Sequence, residues 1–161
     1  MVKHTTTRVT HSADETRAVG AALGRALLAV SLDRPLAVAL DGELGAGKTT
    51  FVRGVLEAFG TTHAIRSPTY TLVEPYEFAG RSVFHLDLYR LADPRELEAL
   101  AIRDLLAPES ILIVEWAERG EGGLPAPELK LSFTYLKDND RQIQTQAMTM
   151  RGKELARSLE G

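Results

Sequence analysis

Gly42, Glu43, Leu44, Gly45, Ala46, Gly47, Lys48 and Thr49 run consecutively and satisfy the pattern GxxxxGK[ST], whose chemistry is the capture of a polyphosphate. Glycines let the backbone come close to phosphate groups, while successive amides and a helix N-terminus supply partial positive charge. The Lys48 ammonium is placed to neutralise the β- and γ-phosphates, and the Thr49 hydroxyl to ligate the Mg²⁺ that bridges them. Thr50 continues the same segment into the helix. A glycine turn followed by an exposed lysine is the bland alternative, but the flanking strand and helix supply the setting this motif requires.

Hydrolysis asks for more than a cradle: a carboxylate must hold the metal or its waters, and a further group must orient the attacking water. Asp87 follows Val83-Phe84-His85-Leu86, and Glu115 follows Ile111-Leu112-Ile113-Val114, so each ends an apolar strand, where α/β sheets bind ligands. Asp87 is expected at magnesium and Glu115 at the water or the metal's outer shell, with the reverse assignment left open by the residues alone. His85 alternates with Asp87 and shares its face, but a lone histidine is more often structural, and it is left outside catalysis. Thr69, within Ser67-Pro68-Thr69-Tyr70-Thr71, is a candidate sensor of the γ-phosphate, although Ser and Pro equally suit an ordinary turn. Trp116, the single tryptophan, is expected to fill the core.

The elements that must position these groups are legible as patterns. Ser12 and Glu15 read as a capping box ahead of a helix carrying Val19, Ala22, Leu23, Ala26, Leu27 and Val30, ending near Leu32. Residues 35–40 form a short apolar strand suited to burial on both faces, and 49–59 form a helix stopped by Gly60. Residues 69–76 and 82–89 suggest a hairpin turning at Ala79-Gly80. Asp93-Pro94 opens a helix with Leu97, Leu100 and Ile102, and 111–114 is a second buried strand. Residues 120–127 form a loop. Residues 129–133 and 142–146 alternate in polarity around 137–141, as an antiparallel hairpin with one wet face does, and 152–161 form a short terminal helix. The expected architecture is α/β, a three-layer P-loop NTPase-like fold with a mixed, mostly parallel sheet and a C-terminal antiparallel hairpin, spanning 1–161 as one domain.

Bulk composition narrows the function. Apolar residues make up 44% and charged residues 25% of 161, as in a soluble globular protein. The absence of cysteine removes thiolate catalysis, disulfides and cysteine-ligated zinc. The N-terminal residues are polar and basic, and no apolar stretch reaches membrane-spanning length, so neither export nor membrane insertion is expected. A net charge of −3 offers no broad attraction to a polyphosphate chain, so nucleic acid, if met, is expected to come through a partner.

Four segments together, GELGAGKTTFVRG at 42–54, SPTYTLVEPY at 67–76, HLDLYRL at 85–91 and ILIVEWAERG at 111–120, closely resemble the TsaE family, also called YjeE, in order and spacing. The likeness runs from about the first helix to Pro125. It implies a cytoplasmic ATPase, using ATP and Mg²⁺, that joins TsaB and TsaD in making N6-threonylcarbamoyladenosine in tRNAs reading ANN codons. It further implies that ATP turnover resets the TsaB–TsaD complex rather than transferring the threonylcarbamoyl group. The family's nucleotide and metal residues carry over to Lys48, Thr49, Asp87 and Glu115. The sequence departs from the family at Ala101, where glycine commonly precedes the aliphatic residue.

Two rival classes stand beside this one. A small-molecule P-loop kinase is similarly short, but no arginine-rich lid is evident. A nucleotide-gated binding module would use ATP only to order the Thr69 segment and create a partner surface. No NKxD segment for guanine is found, which favours ATP over GTP.

Overall fold

The chain passes through β1 (His4–Thr10), α1 (Ala13–Ala29), β2 (Leu36–Gly42), α2 (Lys48–Ala58), β3 (Val73–Phe78), β4 (Arg81–Asp87), α3 (Glu96–Ala99), β5 (Ser110–Glu115), β6 (Leu129–Tyr135), β7 (Arg141–Ala147) and α4 (Met150–Arg157). The computed structural model describes residues 4–43, 45–61, 65, 68, 72–78, 80–99 and 102–160. The fold is mixed α/β, with parallel and antiparallel strand pairs, as expected. Its backbone forms two compact units, one of residues 1–30, 41–65 and 129–161, the other of 31–40 and 66–128.

In the second unit the strands run in the order β2-β5-β4-β3. β2 pairs parallel with β5 and β5 with β4, whereas β3 returns antiparallel along β4. All six residues of β5 and the first five of β2 are buried, which is why Ile111–Val114 and Leu36–Leu40 read as unbroken apolar runs instead of alternating ones. Pro75, which has no amide hydrogen to donate, falls in β3 at the end of this order, where a strand tolerates it. Ala37, Phe84, Leu86, Leu88, Leu91, Leu97, Ile102, Leu112 and Val114 form one buried cluster, and each fully buried leucine contributes about 1.5–3 kcal/mol.

After β4 the chain turns through Asp93. Its carboxylate accepts from the Arg95 amide at 2.9 Å, and Glu96 returns the arrangement by accepting from the Ala92 amide at 3.2 Å. The Arg95 side chain beside Asp93 holds that carboxyl below the usual carboxylate range. Among the described residues, the expected helix is α3, Glu96–Ala99, and Ile102 lies in a 3-10 turn, Ile102–Leu105. Leu100 and Ala101 lie outside the described residues.

The first unit holds the antiparallel strands β1, β7 and β6 with α1, α2 and α4. β1 was not anticipated. Its sequence HTTTRVT is too polar to register as an apolar strand, yet its β-branched residues pair along β7 from His4↔Ala147 to Thr10↔Arg141. α1 begins as expected, with Ser12 Oγ accepting from the Glu15 amide at 3.1 Å and the Glu15 carboxylate accepting from the His11 amide. It ends at Ala29, short of Leu32, because Val30 is extended. Two glycines let α1 and α2 close up: a Cβ on Gly54 would lie 2.0 Å from the Arg17 carbonyl oxygen, and one on Gly20 2.1 Å from that of Phe51. The C-terminal hairpin is longer than expected, and its buried positions alternate with wetter ones along β6. The terminal helix starts earlier, at Met150, where Thr149 Oγ1 accepts from the Gly152 amide at 3.0 Å.

Candidate functional site

The first group of site residues lies where β2 runs into α2. Gly42 ends β2, and Lys48 opens α2. Between them the Ala46 amide donates to the Glu43 carbonyl at 3.1 Å, which folds the segment back on itself. Gly47, the residue ahead of the helix, has φ 105°, in the left-handed region that glycine alone enters without strain. It therefore turns the chain into α2 while offering no side chain to cap the first amides. α1 and α4, by contrast, begin with a Ser12 and a Thr149 side-chain cap. The first amides of a helix carry no intrahelical bond, and together with the helix dipole they favour an anion.

Lys48 is buried at 7% exposure, and its ammonium donates to the Gly42 carbonyl at 2.6 Å. The cation is thus tied across the mouth of the loop by the strand it follows. Thr49 is exposed and Thr50 half-buried on the first turn of α2. Glu43 and Gly45 are exposed, and Ala46 is buried. Leu44 lies outside the described residues.

The second group stands at the carboxyl ends of β4 and β5. In the parallel register Asp87 is opposite Glu115, and Glu115 is opposite Leu40 of β2. Two residues beyond Leu40 the chain reaches Gly42. The pairing register therefore sets Leu40, Glu115 and Asp87 in one row across β2, β5 and β4. Glu115 is buried at 5% exposure, whereas Asp87 is half-buried and accepts from the Tyr89 amide at 3.1 Å. The two acids are therefore held differently, one in the interior and one at a turn.

Glu115 has a partner that no local pattern of residues announces. His85 Nε2 lies 2.8 Å from Glu115 Oε2, and the histidine is 1% exposed. A carboxylate only accepts, so Nε2 carries the hydrogen of this bond. The His85 Nδ1 has no hydrogen-bond partner among the described residues. The signal that would have found this pair is the register of β4 and β5, which makes His85 and Glu115 near neighbours across the two strands.

Trp116 follows Glu115 with φ 58° and ψ 45°, a left-handed conformation that is unusual for a bulky residue. It is half-buried against the Leu86 and Leu88 cluster, as expected for a packing role. It also stands 5.1 Å from the exposed Tyr89 ring, and the Arg119 guanidinium lies 5.4 Å from both ring centres. Thr69 lies outside the described residues.

A buried strand that enters a glycine-flanked loop and leaves it as a helix, within a mixed α/β fold, defines a P-loop protein. A family profile described as "Threonylcarbamoyl adenosine biosynthesis protein TsaE" matches residues 10–143. The chain belongs to the TsaE family. It is similar to the "tRNA threonylcarbamoyladenosine biosynthesis protein TsaE" of Haemophilus influenzae, with 46% identity over 129 residues, covering 80% of this chain and 81% of that one. The protein of the same name from Bacillus subtilis is 35% identical over 120 residues, covering 74% of this chain and 75% of the other. Among solved structures, the crystal structure of Bacillus subtilis YdiB aligns with a TM-score of 0.78 at 26% identity, covering 99% of this chain and 96% of that chain. Among the described residues, no helix is long and apolar enough to cross a membrane.

Proposed function

We propose that this chain is the ATPase accessory of tRNA N6-threonylcarbamoyladenosine synthesis, binding and hydrolysing Mg-ATP in the cytoplasm to reset a TsaB–TsaD complex between rounds. The observation that carries the reading is the uncapped N-terminus of α2 behind Gly47, with the buried Lys48 ammonium fixed on the Gly42 carbonyl. Uncapped amides and a cation held beside them fit a polyphosphate.

On this reading Gly42 to Thr50, with Lys48 at their centre, bind the triphosphate, and Thr69 senses its last phosphate. Thr49 and Asp87 hold magnesium, with Glu115 in its outer shell or at the attacking water. The ion supplies charge neutralisation on the phosphate oxygens when bound. The burial of Glu115 and its bond to His85 support its part, since a fixed carboxylate orients water without reorganising. The register that levels Leu40, Glu115 and Asp87 supports assigning the acids to the end of β2 from which the loop departs. A net charge of −3 supports contact with tRNA through the complex alone.

The test measures ATP hydrolysis with and without TsaB–TsaD, together with tRNA modification, for wild-type and Lys48→Ala protein. Stimulated hydrolysis and modification that both depend on Lys48 are expected. Acceptor-dependent phosphoryl transfer would establish a kinase instead, and ATP binding that supports modification without turnover would establish a nucleotide-gated module.

A further inference from the structure

β6 ends at Tyr135 and β7 begins at Arg141, and the two residues are direct partners in the antiparallel register. The Arg141 guanidinium lies 4.4 Å over the centre of the Tyr135 ring. Its Nη1 also donates to the Asp140 carbonyl at 3.2 Å, and the Tyr135 hydroxyl donates to the Asp138 carbonyl at 2.7 Å. These bonds hold a flat cation on a flat ring at the turn of the hairpin. The stem of Arg141 reaches the phosphate-type loop: its Cγ and Cδ lie 3.8 and 3.9 Å from where a Cβ on Gly47 would stand. Thr16 of α1 borders the same point at 3.5 Å, and His11 Nδ1 meets Asp140 Oδ1 at 3.1 Å. Thr16 of α1 and Arg141 at the start of β7 therefore border Gly47, the residue ahead of α2, and the His11–Asp140 pair joins the turn before α1 to the turn before β7.

We infer that Arg141, supported by Tyr135, is the seat on which the base of a bound nucleotide stacks. The inference rests on the nucleotide reading above and names the part of the ligand that reading leaves without a site. A phosphate chain seated at the start of α2 carries its nucleoside at one end, and Arg141 is the planar group beside that start. The guanidinium head is engaged by Tyr135 and the Asp140 carbonyl, and methylenes line the Gly47 side. This arrangement suits a stacking surface better than a phosphate clamp. Guanidinium planes stack on aromatic faces, and a base has such a face whatever its hydrogen-bonding edge. Lysine carries the same charge but no plane, so the two roles separate experimentally.

Calorimetric titrations with Mg-ATP and with magnesium tripolyphosphate, which has the phosphates and no nucleoside, test the assignment. Arg141→Ala is expected to weaken ATP binding about 5- to 100-fold, the range for loss of one stacked base, and to leave tripolyphosphate within about twofold. Arg141→Lys should behave like Arg141→Ala, and Tyr135→Ala should show a smaller loss in the same direction. Thermal unfolding of each variant checks folding, and Arg141→Lys decides the matter if Arg141→Ala does not fold. Equal weakening of both ligands, rescue of ATP binding by lysine, or unchanged ATP binding would each overturn the stacking role. Wild-type protein that binds tripolyphosphate as tightly as ATP would overturn this inference alone. Wild-type protein that binds neither would overturn the nucleotide reading itself.

Discussion

His85 Nε2 sits 2.8 Å from Glu115 Oε2, with the histidine 1% and the glutamate 5% exposed. Thirty residues separate the two in the chain. The bond orients the carboxylate of the residue that ends β5 and ties it to the interior of β4.

Removing the donor should therefore be felt as lost stability. His85→Leu leaves a buried carboxylate oxygen without that bond, and an unmade buried bond costs about 1–3 kcal/mol. His85→Gln keeps an N–H donor at similar reach and should recover most of the loss. Urea unfolding of the three proteins measures the difference, and a leucine variant as stable as wild type would show that the bond contributes nothing.

Glu115→Gln keeps the shape of the side chain and one acceptor oxygen for His85 while removing its charge. ATP affinity is expected to stay near wild type while hydrolysis falls by about 10²- to 10³-fold, the range for loss of one preorganised positioning group. Single-turnover phosphate release in the presence of TsaB–TsaD reads this directly. Unchanged turnover would remove Glu115 from the chemistry.

For Lys48→Ala, the loss is of a buried cation fixed on Gly42. Hydrolysis should drop at least about 10²-fold, as when one preorganised electrostatic contact is removed, and triphosphate binding should weaken with it. Equilibrium ATP binding and phosphate release check both, and a variant that still turned over at the wild-type rate would contradict the loop's assignment.

Gly54→Ala sets two effects against each other. Alanine favours a helix interior over glycine by up to about 1 kcal/mol. Its Cβ would, however, lie 2.0 Å from the Arg17 carbonyl oxygen, a backbone atom of α1 that moves only with its helix. Overpacking of this kind costs about 1–3 kcal/mol, so destabilisation should win, lowering the melting temperature by about 2–4 °C per kcal/mol for a chain of this size. Scanning calorimetry that found a raised melting temperature would mean that the helices simply part.

The features that the sequence determined by itself are those whose cause lies within a few neighbouring residues. The loop from Gly42 to Thr49 is legible because glycine, lysine and threonine must stand at fixed spacing to meet a phosphate chain. β5 is legible because its four interior positions, Ile111 to Val114, form an unbroken apolar run, and Asp87 and Glu115 because each is the acid that closes a largely apolar strand. The starts of α1 and α4 differ in this respect: Ser12 with Glu15 forms a recognisable capping box, whereas Thr149 caps α4 with no acid three residues on to mark it. Thr69 and Leu44 lie outside the described residues.

What only the tertiary structure decided depends on partners far away in the chain. β1 becomes a strand because β7 offers it a ladder, as in His4↔Ala147, and not because HTTTRVT is apolar. The roles of Gly20 and Gly54 appear only when two helix backbones meet, and His85 finds Glu115 only through the register of β4 on β5. Arg141 likewise comes to Gly47 only when a C-terminal hairpin and the start of α2 fold into one unit. Local patterns report the conformation that a segment's own side chains favour. Long-range pairing is chosen by the burial and hydrogen bonding of the whole chain, which no short stretch contains.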